Sequence, residues 1–87
     1  MKVKYHREFV KSYKKRIASN PKLVPQFQKQ LQKFLNDQLN PTLKDHKLVG
    51  EKYEFRAFSI TGDIRVIYKI VGDEVWLYDI GSHNQVY

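Results

Sequence analysis

The sequence predicts one α+β domain of two layers, in which two N-terminal helices pack on an antiparallel sheet in the order β-α-α-β-β-β. Apolar residues recur at helical spacing up to residue 40, and extended runs rich in Val, Ile, Tyr and Phe follow. With 87 residues, the chain has room for a single hydrophobic core. Residues 1–87 are therefore predicted to form one domain.

The N-terminal segment is predicted to form a short strand and then a helix. Polar and apolar residues alternate over Lys2–Tyr5, as they do in a strand with one buried face. From His6 the period changes to three and four residues, which indicates an amphipathic helix. The apolar positions of this helix are Phe9, Val10, Tyr13 and Ile17.

A second amphipathic helix is predicted between two Asn-Pro pairs. Asn20-Pro21 can cap its start, and Asn40-Pro41 is expected to stop it. Pro25 leaves two alternatives, because the helix either begins there or has an irregular first turn. Its apolar face is predicted to hold Leu23, Phe27, Leu31, Phe34, Leu35 and Leu39.

Three strands are predicted in the C-terminal half, over 53–60, 64–71 and 74–80. The joints Thr61-Gly62-Asp63 and Gly72-Asp73 are turn sequences, so the strands form an antiparallel meander. The middle strand alternates, with one face carrying Ile64, Val66, Tyr68 and Ile70 and the other carrying Arg65 and Lys69. One face is therefore expected to cover the helices, and the other to face solvent or a ligand.

The charge is unevenly distributed along the chain. Residues 1–50 hold 12 basic and 3 acidic side chains, whereas residues 51–87 hold 4 basic and 6 acidic ones. The overall net charge of +7 makes a polyanionic partner such as nucleic acid plausible, with the basic field coming from the helical half. The alternative is a lysine-rich helix surface that serves solubility.

Several classes of protein are disfavoured by composition. There is no cysteine, which excludes a disulfide framework and a thiolate zinc site. The three histidines lack helical metal-ligand spacing, so neither a metal nor another cofactor is expected. The apolar runs are too short for a membrane span or a signal peptide, and we expect a cytoplasmic protein.

Three residues in the predicted loops could take part in proton transfer. His46 precedes the first meander strand, Asp63 lies in a turn, and His83 follows the last strand. Histidine suits general acid–base catalysis because an imidazole exchanges protons near neutral pH. Taken singly, each of the three could equally be an ordinary surface or turn residue.

Two arginines and the terminal tyrosine are candidates for RNA contacts. Arg56 and Arg65 could pair across a hairpin and present two guanidinium groups to one phosphate. The alternative is that they form cross-strand ion pairs with Glu54 or Asp79. Tyr87 could stack on a base or pack its ring against the core.

The segment from Asp45 to Tyr87 resembles the RelE/ParE superfamily of type II toxin–antitoxin toxins, and within it the YafQ-like branch. The two preceding helices also fit the family order. The matching pieces are Asp45-His46-x-Leu48-x-Gly50, Phe55-Arg56, Gly62-Asp63-Ile64-Arg65-Val66-Ile67-Tyr68, Ile80-Gly81-Ser82-His83 and Tyr87.

This resemblance implies a RelE-like fold and a metal-independent endoribonuclease that cuts mRNA in the ribosomal A site. The 2′-hydroxyl of the substrate would attack the adjacent phosphate, and a cognate antitoxin would hold the enzyme inactive. The implied catalytic residues are His83 (as general acid), His46 and Asp63, and the implied RNA contacts are Arg56, Arg65 and Tyr87. The chain departs from the YafQ pattern at Ser59 and Ile64, where that branch has His and Trp.

Two other functions remain open at this stage. A ParE-like toxin would share the fold but bind DNA gyrase without catalysis, and a decayed relative would bind RNA only. The joint presence of His46, Asp63 and His83 favours the nuclease, because a toxin that acts by binding needs no titratable groups around its sheet.

Overall fold

The computed structural model describes residues 1–87 and confirms a mixed α+β domain, with three α-helices and a five-stranded sheet. The elements are β1 (Lys2–Tyr5), α1 (Arg7–Arg16), α2 (Leu23–Asn36), β2 (His46–Lys47), β3 (Arg56–Ser59), β4 (Ile64–Val71), β5 (Glu74–Ser82) and α3 (His83–Val86). Short 3₁₀ turns cover Pro41–Leu43 and Gly50–Lys52. None of the helices combines the length and the apolar character that crossing a membrane requires.

The sheet has the strand order β1-β5-β4-β3-β2. β1 runs parallel to β5, so the sheet is mixed and not wholly antiparallel as predicted. The predicted meander β3-β4-β5 is antiparallel, with the predicted β1 at one edge and the unpredicted β2 at the other. A bulge interrupts the β4–β5 ladder between Ile67 and Tyr68. The first meander strand is shorter than predicted, because residues 53–55 form a turn in which the backbone N–H of Phe55 bonds the carbonyl oxygen of Lys52.

Helix α2 begins at Leu23, before Pro25. The Asn20 side chain accepts hydrogen bonds from the backbone N–H groups of Lys22 and Leu23. Pro25 then falls in the first turn, where a backbone N–H has no intrahelical acceptor, so proline costs nothing there. The helix therefore tolerates Pro25 inside its first turn.

The predicted end of α2 at Asn40-Pro41 is wrong, since the helix ends at Asn36. Asp37 is extended, and its carboxylate accepts a hydrogen bond from the backbone N–H of Leu39. This local side-chain bond competes with the next helical turn and ends the helix early. Leu39, expected on the apolar face, is 86% exposed as a result.

The main core lies between the sheet and helices α1 and α2. Aromatic packing is dense at its centre, where the Phe34 ring lies 4.7 Å from the rings of both Phe58 and Tyr68. The buried members are Phe9, Ile17, Phe27, Phe34, Leu43, Phe58, Ile60, Val66, Tyr68, Val75, Leu77 and Ile80. The predicted alternation in β4 thus holds for Val66 and Tyr68, whereas Ile70 near the strand end is 37% exposed.

A second, smaller core covers part of the opposite face of the sheet. It consists of Leu48, Ala57, Ile67 and Val86, with Phe55 packed against it. Val86 comes from α3, which folds back over β4 and β5. The face that the sequence assigned to solvent or a ligand is therefore partly closed by the C-terminal helix, and a pocket forms beside it.

Candidate active site

A pocket of about 460 Å³ lies beside the second core and brings together three of the predicted site residues. His46 comes from β2, His83 begins α3, and Tyr87 follows α3. Lys47 and Lys52 also line the pocket. The sequence placed the two histidines in separate loops, and the fold puts them into one cavity, which Glu51 also lines.

Tyr87 contacts both histidines. Its hydroxyl lies 3.2 Å from Nε2 of His46, within hydrogen-bond distance. Its ring packs edge-on against the ring of His83, with centroids 4.3 Å apart and planes at 88°. The terminal aromatic residue therefore sits between the two candidate proton-transfer groups.

The hydrogen bonds of His46 define its tautomer. Nδ1 lies 3.0 Å from the carbonyl oxygen of Lys44. A carbonyl can only accept, so Nδ1 carries the proton and donates. In the neutral ring Nε2 then has a free lone pair, which accepts the hydrogen bond from the hydroxyl of Tyr87. His46 is thus arranged to take up a proton at Nε2.

The phenol of Tyr87 is suited to act as a donor. Burial raises the pKa of this phenol, and the nearby positive charge of Arg65 opposes the shift without cancelling it. Tyr87 is therefore protonated at neutral pH. Arg65 itself lies on the same side of the sheet and donates hydrogen bonds to the carbonyl oxygens of Thr61 and Gly62.

His83 is placed by the junction between β5 and α3. The side chain of Gln85 accepts a hydrogen bond of 2.8 Å from the backbone N–H of Ser82, which fixes the first turn of α3. Arg16 of α1 donates to the carbonyl oxygen of Ile80 at 2.8 Å. A Cβ on Gly81 would lie 2.7 Å from atoms of both Arg16 and Gln85, so a side chain at this position would displace them.

Arg56 and Arg65 do not form the predicted pair across the hairpin. Arg56 lies opposite Tyr68 in the β3–β4 ladder, whereas Arg65 lies opposite Ser59. On β4, Arg65 lies three positions before Tyr68, and residues an odd number apart in a strand point to opposite faces of the sheet. Arg56, the partner of Tyr68, therefore points to the helix side, and Arg65 points to the pocket side. The two guanidinium groups cannot hold one phosphate together, because the sheet separates them.

Arg56 pairs instead with Asp45, through Nε and Nη2 at 2.8 Å each. The predicted alternative partners are occupied elsewhere, since Glu54 pairs with Lys69 and Asp79 pairs with Arg16. Asp45 belongs to the sequence motif, but nothing in its local pattern predicted this contact. The useful signal is its position directly before His46. Neighbouring residues in a strand point to opposite faces of the sheet, so Asp45 is expected on the face away from His46.

A buried polar network surrounds the Asp45 carboxylate, whose side chain is 5% exposed. The hydroxyl of Tyr68 donates to Asp45, and the Gln38 amide donates to Tyr68 at 3.0 Å. Burial and the bond to Asp45 raise the pKa of Tyr68. Burial alone would lower the pKa of Arg56, but its bonds to Tyr68 and Asp45 outweigh burial and raise it.

The remaining predicted residues lie outside the histidine pocket. Asp63 is exposed in the β3–β4 turn and lines a separate pocket of about 450 Å³ with Lys15 and Arg16. Ser59 is buried, and its hydroxyl has no hydrogen-bond partner. Ile64 is partly buried and packs against the main core. Asp63 therefore does not join His46 and His83 in one cavity.

A family model described as the bacterial toxin of type II toxin-antitoxin systems, YafQ, matches residues 1–87. The chain is accordingly a toxin of the type II class. It belongs to the YafQ family, as the Asp45–Tyr87 resemblance predicted. No curated protein sequence matches the chain.

Solved structures confirm the predicted RelE-like fold. A metal-bound toxin from Helicobacter pylori has 24% identity and a TM-score of 0.83, covering 100% of this chain and 99% of that one. The E. coli DinJ–YafQ toxin–antitoxin complex has 20% identity and a TM-score of 0.78, with 98% and 94% covered. A YoeB/ParE toxin from Agrobacterium tumefaciens has 15% identity and a TM-score of 0.78, with 95% and 99% covered.

The Helicobacter pylori protein is described as metal-bound. No group of three or more His, Cys, Asp or Glu side chains converges anywhere in the structure. The side chains of this chain therefore form no cluster of ligands suited to a metal centre.

Proposed function

We propose that this toxin is a ribosome-dependent mRNA endoribonuclease that cuts message in the A site by acid–base chemistry and so inhibits translation. The observation that supports this most is the single pocket in which Tyr87 lies between His46 and His83. A toxin that acts only by binding would have no use for two imidazoles in one cavity. Membership of the YafQ family supports the same reading.

The proposed reaction uses the 2′-hydroxyl of the message as its nucleophile. A base removes the 2′-hydroxyl proton while the 2′-oxygen bonds to the adjacent phosphorus. The bond from phosphorus to the 5′-oxygen breaks, and an acid protonates that oxygen. The products are a 2′,3′-cyclic phosphate and a free 5′-hydroxyl, and the only protein groups required are a base, an acid and cations for the added charge.

We assign the base to His46 and the acid to His83. The Nε2 lone pair of His46 is oriented into the pocket and is held by a bond from Tyr87 that a substrate hydroxyl can replace. His83 is exposed at the start of α3, where its imidazole can approach the leaving oxygen. A catalytic role for Asp63 stays a prediction that the Asp63→Asn variant would test.

Arg65 is the arginine that we assign to the phosphate. It lies on the pocket side of the sheet, close enough for its charge to act on Tyr87. Lys52 lines the same pocket and adds positive charge. Cations fixed beside a developing phosphate charge stabilise it without reorganising during the reaction. Arg56, also expected to contact RNA, is engaged with Asp45, and its geometry favours a different role.

We propose two macromolecular partners, the translating ribosome and a cognate antitoxin. E. coli YafQ is described in complex with DinJ, which supports an antitoxin for this chain by analogy. An acidic segment that folds on binding would fit the surface beside Arg65 and Lys52 and exclude RNA from the pocket. Co-expression with the neighbouring small open reading frame should restore growth and yield a stable complex. Failure of every flanking small gene product to bind would count against this partner.

The proposed function is tested by adding the purified toxin to an in-vitro translation reaction and mapping message ends by primer extension. Cuts within codons that depend on ribosomes support the nuclease. Breaks in DNA that depend on gyrase would instead support a ParE-like toxin. Binding of RNA without cuts would identify a catalytically inactive relative.

A further inference from the structure

We infer that Asp45, held by Arg56 and Tyr68, is a positioning residue that fixes the orientation and tautomer of His46. This inference rests on the proposed function and deepens it, because it says how one candidate base is prepared. Asp45 and His46 are adjacent in the chain but face opposite sides of the sheet. Their adjacency links the buried network on the helix side to the pocket on the other side.

The register of β2 supports this link. His46 lies opposite Ala57, and Lys47 lies opposite Arg56. Ala57 belongs to the second core beside the pocket, so His46 points to the pocket side. Asp45 reaches the other side, where it meets Tyr68 of the main core.

The strand that carries His46 has little support of its own. β2 consists of two residues at the edge of the sheet, and both are exposed. The strongest interaction in its vicinity is the Asp45 carboxylate, which accepts bonds from two nitrogens of Arg56 and from the hydroxyl of Tyr68. Charge-assisted bonds of this kind are stronger than neutral ones. The network therefore anchors the strand that the ladder alone holds weakly.

The same anchor determines where the Lys44 carbonyl points. Lys44 directly precedes Asp45 and has a left-handed backbone, with φ at 49°. This conformation is unfavourable for a residue with a side chain and persists only where its surroundings hold it. The backbone N–H of Lys44 bonds the carbonyl oxygen of Pro41 on one side, and the anchored Asp45 fixes the chain on the other. The Lys44 carbonyl then accepts the bond from Nδ1–H of His46. A proton fixed at Nδ1 leaves Nε2 as the base.

The test compares three variants, chosen so that a loss of stability can be recognised. Asp45→Ala removes the carboxylate. Tyr68→Phe removes one donor and keeps the buried ring, so it preserves the core. Glu54→Gln is the matched control, because it removes the partner of Lys69 in a partly exposed ion pair that makes no bond to Asp45 or His46.

Two readouts are taken below the unfolding temperature of each variant. The first is the ¹⁵N NMR spectrum of the His46 ring, which reports which nitrogen carries the proton. The second is the cleavage rate in the translation assay. Asp45→Ala should mix the two tautomers and slow cleavage about 10- to 100-fold, the usual cost of misplacing a catalytic group. Tyr68→Phe should change both in the same direction and by less, and Glu54→Gln should change neither.

A folded Asp45→Ala protein that keeps the Nδ1–H tautomer would overturn the inference, whether or not its rate falls. A mixed tautomer with an unchanged rate would overturn it as well, since His46 would then not need positioning. An inactive parent protein would count against the proposed function alone. The NMR comparison would still decide whether Asp45 sets the tautomer.

Discussion

The hydroxyl of Tyr87 lies 3.2 Å from Nε2 of His46, while the ring of the same residue packs against His83. One side chain therefore contacts both groups that we assign to proton transfer. Its hydroxyl marks the position that a substrate 2′-hydroxyl can occupy. Its ring supports the imidazole of His83 from one side. The consequences of this arrangement can be measured separately, because the hydroxyl and the ring can be removed one at a time.

Tyr87→Phe should reduce the cleavage rate about twofold or less, because the substrate hydroxyl replaces the bond between the Tyr87 hydroxyl and His46 before the reaction. The loss is small because the ring remains against His83. Tyr87→Ala should cost about ten- to a hundredfold, because a stacking surface is lost as well. Rates are measured by single-turnover cleavage in the translation assay. Equal losses in the two variants would show that the ring has no role of its own.

Gly81→Ala should lower the unfolding free energy by about 1–2 kcal/mol, because it displaces two hydrogen-bonding side chains. The new Cβ would lie 2.7 Å from atoms of Arg16 and Gln85, which hold the start of α3. Gly62→Ala is the control, since a Cβ there meets nothing within 4 Å. Urea denaturation compares the two. A Gly81→Ala protein as stable as the control would show that α3 does not depend on this close approach.

The free energy of unfolding should fall as the pH rises above about 10, the ordinary pKa of tyrosine. Burial and the bond to Asp45 raise the pKa of Tyr68 in the folded chain. The unfolded chain therefore loses this proton first, and the stabilisation is lost as the pH rises from the unfolded to the folded pKa. Urea denaturation from pH 8 upwards should show a smaller decline in Tyr68→Phe. Identical declines would contradict the role of the network.

The basic helical half should bind ribosomal RNA through phosphate contacts. Residues 1–50 carry a net charge of +9, and Lys11, Lys14 and Lys15 are exposed on α1. Replacing all three with Gln should weaken ribosome binding and flatten its dependence on salt, because fewer counterions are released. The measurement is sedimentation with ribosomes at several salt concentrations, with circular dichroism as a check on folding. Binding that does not depend on salt would contradict this docking mode.

Sequence patterns predicted the elements that show a clear alternation or helical period in the sequence. β1 and β4 have the predicted bounds, and the apolar stripe of α1 is a reliable helical signal. β2 and α3 were missed because they have two and four residues and depend on distant partners. The end of α2 was misplaced because the Asp37 side chain ends the helix before the Asn-Pro signal is reached.

The candidate site could be predicted as a set of residues but not as an arrangement. His46, His83 and Tyr87 were identified from the motif, yet their convergence depends on α3 folding over the sheet. The predicted Arg56–Arg65 pair was wrong, because the proximity of two residues in a hairpin determines neither the strand register nor the face of the sheet to which each side chain points. Asp45, eleven positions before Arg56 in the chain, offers that arginine a buried carboxylate. An ion pair between residues this far apart in the chain produces no periodic pattern in the sequence.

The most direct test of the account is primer extension on message from translation reactions containing the parent toxin, His46→Ala or His83→Ala. Each variant should lose about 10²–10⁴-fold in cleavage rate, the usual contribution of a general acid or base, while still binding ribosomes. The double variant should lose less than the product of the two losses, because both groups serve one step. A His46→Ala or His83→Ala protein that binds ribosomes and cuts message at the parent rate would contradict the account.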